Sequence, residues 1–157
     1  MRRKDREITD LDCIIDIIRK CDTCRISLFD EEYPYIIPMN FGFEKIDDQL
    51  VLYFHGAHVG KKIDLIKKCN RASFEMDCSH RLITGEKACD YTMEYESVCG
   101  NGTIEILNPQ DRVIALKHLM KQYSSAENHE FSNNEVNAVT ALRLKVNTIT
   151  GKRLNRS

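Results

Sequence analysis

Tyr53-Phe54-His55-Gly56-Ala57-His58-Val59-Gly60-Lys61-Lys62, continuing through Ile63-Asp64-Leu65-Ile66-Lys67-Lys68, joins two kinds of periodicity. Gln49 to Phe54 is rich in β-branched and aromatic residues and reads as a strand, whereas Ile63, Ile66 and Cys69 recur at helical spacing. The motif therefore lies where a strand hands over to a helix. The first turn of a helix leaves backbone N–H groups unpaired and carries the positive end of the macrodipole. Glycines on either side and two adjacent lysines add access and formal charge, and such a turn is a seat for a phosphate.

The spacing excludes a P-loop, because Gly56 is followed four places later by Gly60 and Lys62 stands where the motif needs a hydroxyl. Nucleotide triphosphate chemistry is not expected. A helix start with two cations suits a terminal phosphate monoester, such as that of flavin mononucleotide or pyridoxal phosphate. Two solvated lysines opening an amphipathic helix are the competing reading.

Outward from this stretch, 157 residues suffice for one core, so a single domain over 1–157 is expected. With 42% hydrophobic and 30% charged residues the chain falls in the ordinary soluble class. A net charge of -1 supplies no whole-molecule field to gather nucleic acid or an anionic membrane, so any basic site is local. Met1-Arg2-Arg3-Lys4-Asp5 leads into no apolar run of signal-peptide length, and no stretch approaches the ~20 apolar residues of a membrane span. Seven cysteines, an odd number without a secretory signal, read as reduced thiols of a cytoplasmic protein.

In chain order, Thr9-Asp10 offers a helix N-cap ahead of an apolar stripe, Leu11, Ile14, Ile15, Ile18 and Cys21. Arg25 to Phe29 alternates as a half-buried strand, Asp30-Glu31-Glu32 turns the chain, and Tyr33 to Phe43 returns as the second strand of a hairpin. Pro34 and Pro38 make that strand an edge or a bulged one. A strand with backbone groups outside the ladder can present Pro38-Met39-Asn40-Phe41-Gly42 to the edge of a flat heteroaromatic ring, or be an ordinary edge. Arg71 to Asp77 alternates again, and His80 to Asp90 reads as a loop. Thr92 to Leu107 is a long strand bent at Gly100 and Gly102. Asn108-Pro109-Gln110-Asp111 opens a helix with Val113, Leu116, Met120 and Tyr123 on one face, Ser124 to Asn134 is polar and loose, and Ala141 to Ile149 is a last strand. About six strands and three helices follow, with antiparallel pairing; a small barrel removes most sheet edges.

The order of these motifs resembles the flavin-binding split-barrel family. The motifs are Tyr33-Pro34-Tyr35-Ile36-Ile37-Pro38-Met39-Asn40-Phe41-Gly42, Leu52 to Ala57 with Gly60-Lys61-Lys62, Ala72-Ser73-Phe74-Glu75, Tyr95-Glu96-Ser97-Val98 with Gly100-x-Gly102, and Ile149-Thr150-Gly151-Lys152. Within that family the chain is most similar to the nitroimidazole-resistance proteins, relatives of pyridoxamine-phosphate oxidase. The resemblance implies a six-stranded antiparallel split β-barrel with peripheral helices, and a homodimer holding FMN, or FAD, between subunits. By position it implies that Met39, Asn40 and Phe41 line the isoalloxazine, that Lys61 and Lys62 hold the phosphate, and that Ser97 sits near the same ligand. The resemblance further implies that His55 stands beside the flavin, which makes it the catalytic candidate, its imidazole able to supply a proton near neutral pH. No second basic cluster for a substrate phosphate is found, which favours reduction of a small electrophile such as a nitroaromatic over vitamin oxidation.

Cys21-x-x-Cys24 allows a redox pair or half a zinc site, but no second pair follows at zinc spacing. At His55-x-x-His58 the adjacent lysines oppose a divalent cation, so no metal is expected. His80, His118 and His129 read as surface residues. Two classes of function remain: a flavin-dependent oxidoreductase, and a non-catalytic flavin- or haem-binding module of the same fold.

Overall fold

The computed structural model describes residues 3–126 and 128–155. Strands β1 (Glu7–Ile8), β2 (Cys24–Leu28), β3 (Tyr35–Met39), β4 (Gly42–Ile46), β5 (Gln49–Gly56), β6 (Arg71–Ile83), β7 (Thr92–Ile106) and β8 (Thr140–Leu154) form one antiparallel sheet. Its path is β3-β2-β6-β7-β8-β5-β4, with β1 paired to β8 off that path. Helices α1 (Leu11–Lys20), α2 (Lys61–Lys68), α3 (Arg112–Tyr123) and α4 (Asn133–Asn137) are peripheral. Among the described residues no helix is long and apolar enough to cross a membrane.

The split barrel is as expected, with eight strands among the described residues where six were expected. One addition is β1, two residues that find a partner only because β8 runs on to Leu154, well past Ile149. The other arises because Tyr33 to Phe43 is two strands, not one. β3 and β4 lie at opposite ends of the sheet path yet are joined by only Asn40 and Phe41. That link closes the split by the covalent chain instead of by ladder bonds. Pro38 accordingly sits on an edge strand, where its missing N–H costs no ladder bond.

Alternation places Cys24, Ile26 and Leu28 of β2 and Ala72, Phe74, Met76 and Cys78 of β6 in the core. Asp10 caps α1, accepting from the Cys13 N–H at 2.8 Å, and Ile14, Ile15, Ile17 and Ile18 carry the helix onto the sheet. On β8 the inward residues are Leu142, Leu144 and Val146, then Ile149 and Gly151, because a bulge leaves Asn147 without a partner and reverses the alternation. The bend thus lies on β8. Gly102 of β7 permits it, since a Cβ there would stand 2.0 Å from the Lys145 carbonyl oxygen. At the start of β7, Glu94 and Glu96 also point inward. Glu96 is matched by Lys20 at 2.7 Å, Arg153 at 2.5 Å and the Ser79 hydroxyl at 3.0 Å, so its burial leaves no charge unpaired.

β5 is buried on both faces. Leu50, Leu52 and Phe54 face the barrel core, while Val51 and Tyr53 form a second cluster with Leu107, Ala115 and Ala141 beneath α3. Its ladder with β8 ends at His55 opposite Ala141 and Gly56 opposite Thr140. The polar run from Ser124 to Asn134 is less loose than its composition implies. Ser132 and Glu135 form a reciprocal capping box that starts α4.

Candidate functional site

His55 shares a strand face with Val51 and Tyr53, the face that α3 covers, but lies where that cover ends. Its ring borders a cavity of ≈ 440 Å³. Asn40 contributes from the β3–β4 link, Leu116, Leu119, Met120 and Tyr123 from α3, and Phe131, Glu135 and Val139 from the chain around α4. On the other side, Lys62 lies over Gly56. A Cβ at Gly56 would stand 2.6 Å from the Lys62 ammonium and 4.0 Å from Met39 Cε, so the missing side chain is what admits the lysine.

Partial desolvation of the ring, and secondly the Lys62 cation, hold the His55 pKa below its ordinary value. Its imidazole is therefore neutral at neutral pH. Removing the Lys62 charge favours the imidazolium, so in Lys62→Ala the His55 midpoint should move upward, while the remaining desolvation keeps it below that of a fully solvated histidine. Histidine titration followed by ¹H–¹⁵N NMR checks this; an unchanged midpoint would separate the two residues.

At the start of α2, Gly60 is the N-cap with φ 128° and no capping side chain, and nothing lies within 4 Å of where its Cβ would be. Ile63 and Asp64 donate to the Gly60 carbonyl, leaving the Lys61 and Lys62 N–H groups without partners among the described residues. The two lysine side chains differ. Lys61 binds Asp30 at 2.5 Å and lies 5.2 Å from the Tyr35 ring centroid, and the Asp30 bond raises its pKa. Lys62 makes no ion pair or hydrogen bond among the described residues.

Of the residues assigned by position, Met39, His55 and Lys62 come together around Gly56, and Asn40 joins His55 at the cavity. Phe41 does not line it. Its ring is fully buried in the core, edge-on to Tyr123 at 6.4 Å, and its N–H donates to the Tyr123 hydroxyl at 3.0 Å. Ser97 also stands apart: it faces Lys152 on β8, whereas His55 faces Ala141, eleven residues back along the strand. At ~3.3 Å per residue this is about 35 Å along the strand.

Tyr123 carries more than its place on an apolar helix face suggests, and its neighbour Gln122 shares the task. The Tyr123 hydroxyl also donates to the Asp22 carbonyl at 2.9 Å, and Gln122 donates to the Cys21 carbonyl at 2.8 Å. The end of α3 thus ties the end of α1 to the β3–β4 link. Only the polar atoms at the end of an amphipathic stripe hinted at this in the sequence.

His58 is a tether. Its Nε2 donates to the Asn137 carbonyl at 2.9 Å and its Nδ1 lies 2.8 Å from the Thr140 hydroxyl, fastening the turn before α2 to the end of α4. Among the described residues no three His, Cys, Asp or Glu side chains are placed to hold a metal. Nor do Cys21 and Cys24 pair. Cys21 lies against Cys78, donates to the Ile17 carbonyl at 3.3 Å, and is held protonated by burial, while Cys24 is in the core. His118 is not a surface residue: it stacks on Tyr53 at 4.9 Å and meets Glu44 at 3.2 Å.

The family model for pyridoxamine 5'-phosphate oxidase matches residues 10–153. A crystal structure of a candidate 5-nitroimidazole antibiotic resistance protein from Bacteroides thetaiotaomicron superposes with a TM-score of 0.80 at 30% identity, covering 94% of this chain and 86% of that one. A flavocytochrome from Azotobacter vinelandii has a TM-score of 0.79 at 14% identity, over 99% of this chain and 72% of its own. A FAD- and haem-binding protein from Mycobacterium smegmatis has 0.75 at 18%, over 97% and 74%. At those identities the last two show the fold alone. No curated protein matches the chain in sequence.

Proposed function

Since the chain belongs to the pyridoxamine 5'-phosphate oxidase-related family, whose fold binds flavins, we propose that it is a flavin-dependent oxidoreductase of the nitroimidazole-resistance type that reduces a small electrophile such as a nitroaromatic. Lys62 carries this reading. Half-buried, without a counter-ion among the described residues, and laid over a glycine at an uncapped helix start, this lysine is placed to meet an anion. The donors there fit the terminal phosphate of FMN, or the corresponding phosphate of FAD if the adenosine extends into solvent.

A bound flavin supplies the electron transfer. Lys62 and the N–H groups of residues 61 and 62 would hold its phosphate, and Lys61 would contribute once it gave up Asp30. Met39 and Lys62 both approach Gly56, and Asn40 lines the cavity. Between the phosphate seat and the cavity, the free ring nitrogen of the neutral His55 can take a proton from solvent, and the imidazolium so formed, made more acidic by the lowered pKa, can pass it to a substrate. The same reading makes the protein a cytoplasmic homodimer with flavin between subunits. Ser97, so distant from His55 along its own chain, would then join the flavin beside the His55 of a second copy.

An absorbance spectrum of protein purified without added cofactor, followed by heat release and chromatography, tests the cofactor. Flavin near one per subunit is expected; a colourless protein that refuses added flavin overturns the reading, and a haem spectrum moves it to the binding-module alternative. Turnover is tested by anaerobic reoxidation of the reduced flavin with a nitroaromatic. His55→Ala should keep flavin while slowing that reoxidation by about 10²-fold or more, the lower range for a positioned acid–base group. Unchanged reoxidation would remove His55 from the chemistry.

A further inference from the structure

We propose that the cleft between the β2–β3 loop and β6 binds the adenosine half of a dinucleotide, so that the flavin held by this chain is FAD and its adenosine is gripped instead of trailing in solvent. As the place of a flavin's second half this rests on the flavin reading; as a purine site it does not. The cleft, of ≈ 280 Å³, shares a wall with the phosphate seat, because Asp30, which binds Lys61 at 2.5 Å, also lines it. The volume is about twice the ~150 Å³ that holds benzene in an apolar protein cavity, which leaves room for a two-ring base.

The cleft is built from small residues below and aromatic ones around. Ser27 of β2 stands opposite Ser73 on β6 and opposite Ile36 on β3, so the three share one sheet face, and the two serines leave depth above it. Phe29 and Tyr33 line the cleft while remaining 57% and 76% exposed, and Ile36 beside them is 63% exposed. Large apolar side chains left in water singly are ordinary, but a cluster of them marks a binding surface. Both rings are held in place: the Arg71 guanidinium lies 4.8 Å from the Phe29 ring centroid, and Pro34 confines the Tyr33 backbone to extended conformations.

Charge sets the direction in which a nucleotide lies. Asp30 and Glu32 are acceptors that suit ribose hydroxyls and the exocyclic amine of adenine, whereas a phosphate inside the cleft would meet two carboxylates. The phosphates therefore fall on the lysine side of Asp30 and the base on the other. At the seat, Asp30 reduces the charges of Lys61 and Lys62 to one net positive charge. That matches the single charge on each phosphate of a dinucleotide better than the nearly two of a terminal monoester at neutral pH.

FAD and FMN, titrated calorimetrically into the whole protein freed of flavin, separate the two halves. FAD should bind at least tenfold more tightly. Tyr33→Ala, with Phe29→Ala as the second variant, should lower FAD affinity by about 5- to 150-fold, the range for a base stacked on one ring, and leave FMN affinity within about twofold. Asp30→Asn keeps an oxygen to accept from the Glu31 N–H, and should improve FMN binding severalfold while narrowing the FAD advantage. Equal binding of the two flavins, or an FAD advantage that survives both alanine variants, overturns the assignment yet leaves the flavin reading standing. If neither flavin binds, that reading falls and ADP decides the site. ADP binding weakened by Tyr33→Ala upholds the purine cleft; no ADP binding, or binding indifferent to both alanine variants, overturns it as well.

Discussion

Flavin affinity should fall by about 10²–10⁴-fold when Lys61 and Lys62 are both replaced by alanine, from two charge-assisted contacts of roughly 1.5–3 kcal/mol each. The loss should not divide equally. Lys62 is half-buried, has no counter-ion among the described residues and lies against the strand end that carries His55. Lys61 must first release Asp30, so the gain at the phosphate is offset by the ion pair given up. Lys62→Ala alone should therefore account for most of the effect, and Lys61→Ala for less than about tenfold. Titration of FMN by fluorescence quenching measures all three variants. A double variant that binds as tightly as the parent would return this turn to a solvated helix start.

Phe41→Ala should lower stability by about 3–5 kcal/mol, the usual loss for a large buried aromatic. Phe41 is fully buried in the two-residue link that closes the barrel, so its ring fills space at the one seam without ladder bonds. For a chain of this length the melting temperature should drop by roughly 6–20 °C. Tyr123→Phe keeps the ring contact but leaves the Phe41 N–H and the Asp22 carbonyl without their shared partner, and should cost about 1–3 kcal/mol. Denaturant unfolding of both variants distinguishes packing from hydrogen bonding. A Phe41→Ala loss under about 1 kcal/mol would mean that the seam is held by something else.

Much of the architecture was legible where one face of an element is buried and the other wet. β2 and β6 show period 2, α1 shows period 3.6, and Pro38 marked an edge. The break between β3 and β4 was only weakly legible: Asn40 and Gly42 are turn residues, but an extended run looks the same whether it stays in one ladder or crosses to another. The capping box at Ser132 and Glu135 was readable, but the polar residues around it masked α4. On β8, residues past Asn147 change face because of a bulge that neither local propensity nor alternation announces.

The site divides in the same way. By itself the sequence determined that a strand ending in His55 meets a glycine-flanked helix start with two lysines, since strand and helix periods and the N-cap position are local properties. Only the tertiary structure decided which lysine is available, because Asp30 reaches Lys61 from a loop some thirty residues away. It also took Phe41 into the core, placed Ser97 on β7 opposite the far end of β8, and built an apolar wall beside His55 from α3 and the chain flanking α4. Those outcomes depend on which surfaces are brought together when the barrel closes, and no window of local sequence contains that information.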